Sequence, residues 1–138
     1  MSAGVTVSDE AKAVYEALKT DKKHRYIVYQ VIDEHVIEAE STGERSATFE
    51  DFLEKLRQSD ADQCRCVLYD YTATADDGTT RDKTVLLKWC PEKVNIKQRM
   101  MYSSALQVLL KEFAGIDHSV EAYSVEEAED AMKAAVCQ

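Results

Sequence analysis

The chain has 138 residues, 45% hydrophobic and 31% charged, with one proline and four glycines. That length suits one domain, residues 1–138, able to bury roughly two-thirds of its unfolded surface without a metal or disulfide staple. A membrane span is excluded because no run of about 18 apolar residues exists. The start Met1-Ser2-Ala3-Gly4-Val5 lacks the pattern of a secretory signal, and the formal charge of −9 argues against nucleic acid as a partner.

Ser8 is a helix cap, with Asp9 and Glu10 well placed in the first turn. Val7, Ala11, Val14 and Leu18 then keep helical spacing, which predicts a helix over 8–19. Lys22-Lys23-His24-Arg25 reads as a basic turn, either solvated or a nuclear-localisation signal. Residues 26–32 are rich in strand formers, Asp33-Glu34 turns the chain, and 35–41 returns antiparallel. Phe49, Phe52, Leu53 and Leu56 mark a second amphipathic helix over 47–58.

Residues 64–72 form a strand, Asp76-Asp77-Gly78 a turn, and 84–90 the paired strand, stopped by Pro91. A third helix runs over about 95–114 to Gly115. A short strand at 120–123 and a last helix at 125–136 complete the order α-β-β-α-β-β-α-β-α. Two hairpins and a fifth, parallel strand reached through the long helix make a mixed, mostly antiparallel sheet of the α/β (α+β sandwich) class. Helices on both faces account for the nearly continuous apolar run of 84–89.

Cys64 and Cys66 share one strand face, where two readings stand: metal ligands, or buried reduced thiols of a cytosolic protein alongside Cys90 and Cys137. The second is favoured, because no further Cys/His pair has zinc-like spacing. His24, His35 and His118 are scattered, no phosphate loop is present, and Cys64-Arg65-Cys66 as a redox pair is the one enzyme candidate. No enzyme, metal or cofactor is expected. Charge is uneven: Arg81–Arg99 holds six basic and two acidic residues, whereas Glu112 to the end holds seven acidic and one basic. The basic strip is either a solvated face or a surface for an acidic protein.

The third helix is the most informative element. Tyr102, Leu106, Leu109 and Phe113 form one stripe, sufficient to dock it with roughly 6–12 kcal/mol before entropy costs. Met100, Ser104, Gln107 and Lys111 lie opposite, with Ile96 and Lys97 beside them. Ile96 and Met100 are therefore surplus to the core, and two readings stand: scattered exposed apolar residues, or a partner surface.

Trp89-Cys90-Pro91 followed by Lys97-Gln98-Arg99-Met100-Met101-Tyr102-Ser103-Ser104 resembles the W-x-P…K-x-[KR]-M-x-Y-x-S signature of the actin-depolymerising factor/cofilin family. Phe52-Leu53-Glu54-Lys55-Leu56 ahead of Cys66–Tyr71, and Gly4-Val5 ahead of Ser8-Asp9-Glu10, resemble two further family blocks in the same order. The resemblance implies a five-stranded mixed sheet between two helical layers, the actin-depolymerising-factor homology (gelsolin-like) fold. It implies a monomeric, cytoplasmic and cytoskeletal protein that binds actin monomers and filaments and promotes filament disassembly.

The same resemblance assigns roles by position. Ser2, Gly4, Val5, Lys97, Arg99, Met100 and Ser104 would contact an actin monomer, with Ser2 a phosphorylation site beside Ala3. Arg81, Lys83 and Lys133 would contact the neighbouring filament subunit, and the basic strip would attract phosphoinositide headgroups. The last helix departs from the family pattern: Glu126, Glu127, Glu129 and Asp130 stand where cations are expected, so severing is expected to be weak. The alternative within the same fold is a regulator of a filament nucleator, or a filament side-binder without disassembly activity.

Overall fold

The computed structural model describes residues 4–58 and 63–136. Its elements, in chain order, are β1 (Thr6–Val7), α1 (Asp9–Lys19), β2 (His24–Ile32), β3 (Val36–Glu44), α2 (Phe49–Arg57), β4 (Arg65–Thr74), β5 (Thr80–Trp89), α3 (Ile96–Glu112), β6 (His118–Ala122) and α4 (Val125–Val136). One sheet runs β1-β3-β2-β4-β5-β6, with parallel pairing only at its two edges, β1–β3 and β5–β6. The sheet therefore has six strands rather than the expected five. The extra one, β1, is two residues long, too short for any alternation to register in the sequence.

Alternation along each central strand divides the core in two. Ile27, Tyr29, Leu68 and Leu86 face α1 and α3, meeting Ala11, Leu18, Leu106 and Leu109. Tyr26, Val28, Val67, Val85 and Leu87 face α2 and α4, meeting Phe52, Leu53, Leu56, Ala128 and Met132. The strand hydrophobicity that seemed continuous is the sum of these two faces. Both helical layers were legible from spacing, and the caps follow local chemistry: Ser8 accepts from the Ala11 N–H, and Thr48 with Asp51 forms a reciprocal capping box. That box starts α2 two residues later than expected.

The β4–β5 hairpin is longer than expected, and β6 begins at His118 rather than 120. α3 ends at Glu112, and Gly115, with φ +90°, turns the chain where a side chain would be strained. Gly43 on β3 is set by a close approach instead. The ring of Tyr26, its cross-strand neighbour, lies over the position a Cβ would occupy.

The cysteine expectation needs correction. Arg65 pairs with Trp89, so Cys64 and Cys90 flank one rung of the β4–β5 ladder. They are disulfide-bonded, with Cα atoms 4.4 Å apart. Reduced and buried describes Cys66 alone among the described residues, and burial pushes its thiol up to about 12. Cys137 lies outside them. The Cys64–Cys66 redox pair is excluded, since the partner of Cys64 is Cys90 and Cys66 holds its proton at neutral pH. Among the described residues no helix is long and apolar enough to cross a membrane.

Candidate functional site

Three of the four helices carry acidic residues in their first turn, as the helix dipole favours: Asp9 and Glu10, Glu50 and Asp51, Glu126 and Glu127. α3 has none, and places Lys97 and Arg99 there instead. Cations near an N-terminus oppose the dipole, so this end of α3 sacrifices local stability, as functional surfaces commonly do. The buried side of the same turn is firmly held. Asn95 caps the helix by accepting from the Gln98 N–H at 2.9 Å, and Gln98 Oε1 accepts from the Cys64 N–H at 2.6 Å. Tyr102 Oη accepts from the Val31 N–H at 2.9 Å.

Against that rigid base the outer side projects freely. Ile96 is 73% and Met100 65% exposed, far more than any other large hydrophobic side chain among the described residues. Lys97 is 80% exposed, and its Nζ lies 2.9 Å from Glu34 Oε1. The hydrogen bond from Lys97 is the main reason that the Glu34 carboxyl sits below the ordinary range. Ser104 is exposed further along the helix. This face thus presents two apolar side chains, one exposed cation paired with Glu34 and a hydroxyl on a fixed helix.

The N-terminal arm comes to the same place. The Thr6 N–H donates to the His35 carbonyl at 2.8 Å, and β1 packs against α3. The turn of Asp33 and Glu34, both in left-handed backbone conformations, therefore joins the two parts: Glu34 meets Lys97, and His35 pins the arm. Gly4 is exposed and Val5 packs onto the α1/α3 core. Ser2 lies outside the described residues.

Arg99 is placed differently from Lys97. Its Nε donates to the Val94 carbonyl at 3.1 Å, and Nη2 donates to Pro91 and Glu92 carbonyls at 3.0 and 2.7 Å. The guanidinium carbon also lies 5.2 Å from the ring centroid of Tyr123. Arg99 closes the 90–95 loop onto the helix. Tyr123, 42% exposed, consequently borders the α3 surface. The sequence carried no signal for it, because a single aromatic at the end of a short strand has no pattern.

The expected filament residues lie on β5 and α4. Arg81 and Lys83 share the face of β5 that carries Val85 and Leu87, so they face the α4 layer, at the far end of β5 from Trp89 and α3. Lys83 Nζ donates to the Val136 carbonyl at 2.8 Å, whereas Arg81 is exposed. Lys133 on α4 is bonded to Glu129 at 2.6 Å, which raises its pKa. The basic strip is not one surface. Lys88 is buried, with Nζ 2.7 Å from both Ser103 Oγ and Glu121 Oε1. Among the described residues no cluster of three or more His, Cys, Asp or Glu side chains is placed to hold a metal.

Residues 4–137 match the family described as cofilin/tropomyosin-type actin-binding protein. The chain belongs to this family. Actophorin of Acanthamoeba castellanii is 33% identical over 131 residues, covering 94% of this chain and 92% of that protein. Cofilin of Schizosaccharomyces pombe is 34% identical over 122 residues, covering 86% and 84%. The crystal structure of Plasmodium berghei actin depolymerization factor 2 superposes with a TM-score of 0.82 over 97% of this chain and 96% of that one, at 24% identity. That likeness establishes the cofilin-type α+β fold, and the mixed sheet between two helical layers is the one expected from the sequence.

Proposed function

We propose that this protein binds actin monomers and filaments and promotes filament disassembly in the cytoskeleton. The observation that carries the reading is the outer face of α3, where Ile96, Lys97 and Met100 stand exposed beside the β1 arm. Met supplies adaptable contact area, and Lys97 needs only to exchange Glu34 for an acidic residue of the partner. Gly4, Val5 and Ser104 complete the monomer-binding surface, with Arg99 setting its shape. Phosphorylation of Ser2 would add about −1.5 to −2 charges to the N-terminal arm and disfavour contact with an acidic partner.

The filament contact rests on Arg81, Lys83 and Lys133, and is the weaker half. Lys133 is held within its own helix by Glu129, and Glu126, Glu127 and Asp130 are exposed around it. Monomer binding and end depolymerisation should therefore outweigh severing. The test is a pull-down with pure monomeric actin, run alongside single-filament imaging. Capture of monomers with shortening from ends is expected; frequent internal breaks at low occupancy would contradict the assignment. Replacing Glu129 and Asp130 with lysine should strengthen filament binding while leaving monomer affinity nearly unchanged. Binding along filaments without capture of monomers would favour the reading of a side-binder instead.

A further inference from the structure

The turn between β2 and β3 is built against the preference of its residues. The His35 N–H donates to the Ile32 carbonyl at 3.0 Å, and the two residues between them, Asp33 and Glu34, both hold positive φ, 53° and 62°. Hairpin turns of this hand favour Asn-Gly, because glycine takes such a backbone without strain and glutamate does not. The ladders on either side fix the reversal. Ile32 pairs with Val36 and Val31 with Ile37, while β1 pairs with Val36 and Ile37 from the opposite edge. Strain of this kind persists where the surrounding structure enforces it, and it points to a use for the side chain on display.

What the turn displays is a carboxylate at the foot of α3. Glu34 Oε1 lies 2.9 Å from Lys97 Nζ, and Glu34 is the one side-chain partner of Lys97 among the described residues. The pair joins elements far apart in sequence, unlike Glu54–Arg57 or Glu129–Lys133, each of which lies within a single helix. Yet both side chains stand largely in water, 59% and 80% exposed, and exposed ion pairs contribute little to a fold. Stability therefore does not account for a strained glutamate at this point. Its effect falls on Lys97, whose ammonium it occupies and whose charge it offsets on the outer face of α3.

We propose that Glu34 is an internal competitor for Lys97, holding the ammonium until a partner offers a carboxylate of its own. The inference rests on the actin reading of this face and deepens it. A partner surface with an acidic group opposite Lys97 exchanges one ion pair for another and returns Glu34 to water, which the turn already faces. A surface without such a group would cover the Glu34–Lys97 pair and desolvate it, which is unfavourable. Glu34 thus weakens binding of a suited partner slightly and of an unsuited one more. It acts as a specificity-determining residue rather than as a contact.

The test uses Glu34→Asn in the full chain, since asparagine tolerates positive φ and removes the charge. Titration of labelled monomeric actin should show the variant binding about threefold more tightly than the wild type, the modest change that an exposed pair allows. In the Lys97→Ala background the same substitution should change nothing. Tighter binding in both backgrounds would mean general relief of negative charge and would overturn the proposal. Weaker binding of Glu34→Asn would make Glu34 a contact and overturn it too, as would equal binding. A second measurement is independent of actin. Carboxyl NMR of Glu34 should give a titration midpoint below the ordinary glutamate range in the wild type, returning toward that range in Lys97→Ala, because Lys97 is the main cause and His35 a lesser one. An ordinary midpoint in the wild type would remove the competitor and leave the actin reading intact. A lowered midpoint with no actin binding by any form would instead overturn the actin reading, and with it the partner for which Glu34 competes.

Discussion

Arg99 and Lys97 sit two residues apart in one family signature, yet the structure gives them different work. Replacing Arg99 with alanine removes three charge-assisted hydrogen bonds to the carbonyls of Pro91, Glu92 and Val94. A hydrogen bond from a charged donor contributes about 1.5–3 kcal/mol when shielded. The Glu92 bond lies in an exposed setting where water can replace the donor, so the sum falls well below three times that figure. A loss of about 2 kcal/mol is expected, which lowers the midpoint of a chain this size by roughly 6 °C. Arg99→Lys keeps the charge but cannot span three carbonyls from a single ammonium, so it should recover little of the stability. Lys97→Ala should leave the melting temperature unchanged. In a monomeric-actin binding assay the order should differ: Lys97→Ala loses affinity through a missing contact, and Arg99→Lys loses it through a displaced 90–95 loop. Undiminished melting of Arg99→Ala, with wild-type actin binding by Arg99→Lys, would refute the clamp and make Arg99 a plain electrostatic contact.

Gly43→Ala should cost about 1–3 kcal/mol through overpacking against the Tyr26 ring, seen as a lower urea midpoint, and the additional change Tyr26→Leu should recover part of it. Burial tends to raise the Asp82 carboxyl, but hydrogen bonds from Lys22 and Thr72 outweigh it and hold the pKa below 3.8. Its stabilisation is therefore complete above the unfolded value near 3.8 and disappears as pH falls through the lower folded value. Urea midpoints should drop in that acid window for the wild type and less steeply for Asp82→Asn. Alkylation of the native protein near pH 8 should leave Cys66 unmodified, given a thiol pushed up to about 12. Non-reducing peptide mapping should return Cys64 joined to Cys90; labelling of Cys66 before unfolding would contradict its burial.

Periodicity by itself determined the four helices, five of the six strands and the two-sided core. Tyr102, Leu106 and Leu109 are buried where helical spacing put them, while Ile96 and Met100 are exposed as its surplus. Such patterns are local: a side chain's direction follows from its own position in a helix or strand, whatever the rest of the chain does. The family signature likewise resides in contiguous residues. The remaining features depend on segments distant in sequence, and only tertiary structure decided them. β1 exists because two residues meet the edge of β3. Cys64 finds Cys90 because β4 and β5 pair in one register across 26 residues. The basic strip dissolved for the same reason, since a cation's surroundings are set by what folds over it: Lys88 is enclosed between Ser103 and Glu121, and Lys83 is anchored to the end of α4. Composition counts such charges equally, but packing left Lys97 exposed and committed Arg99 to the fold.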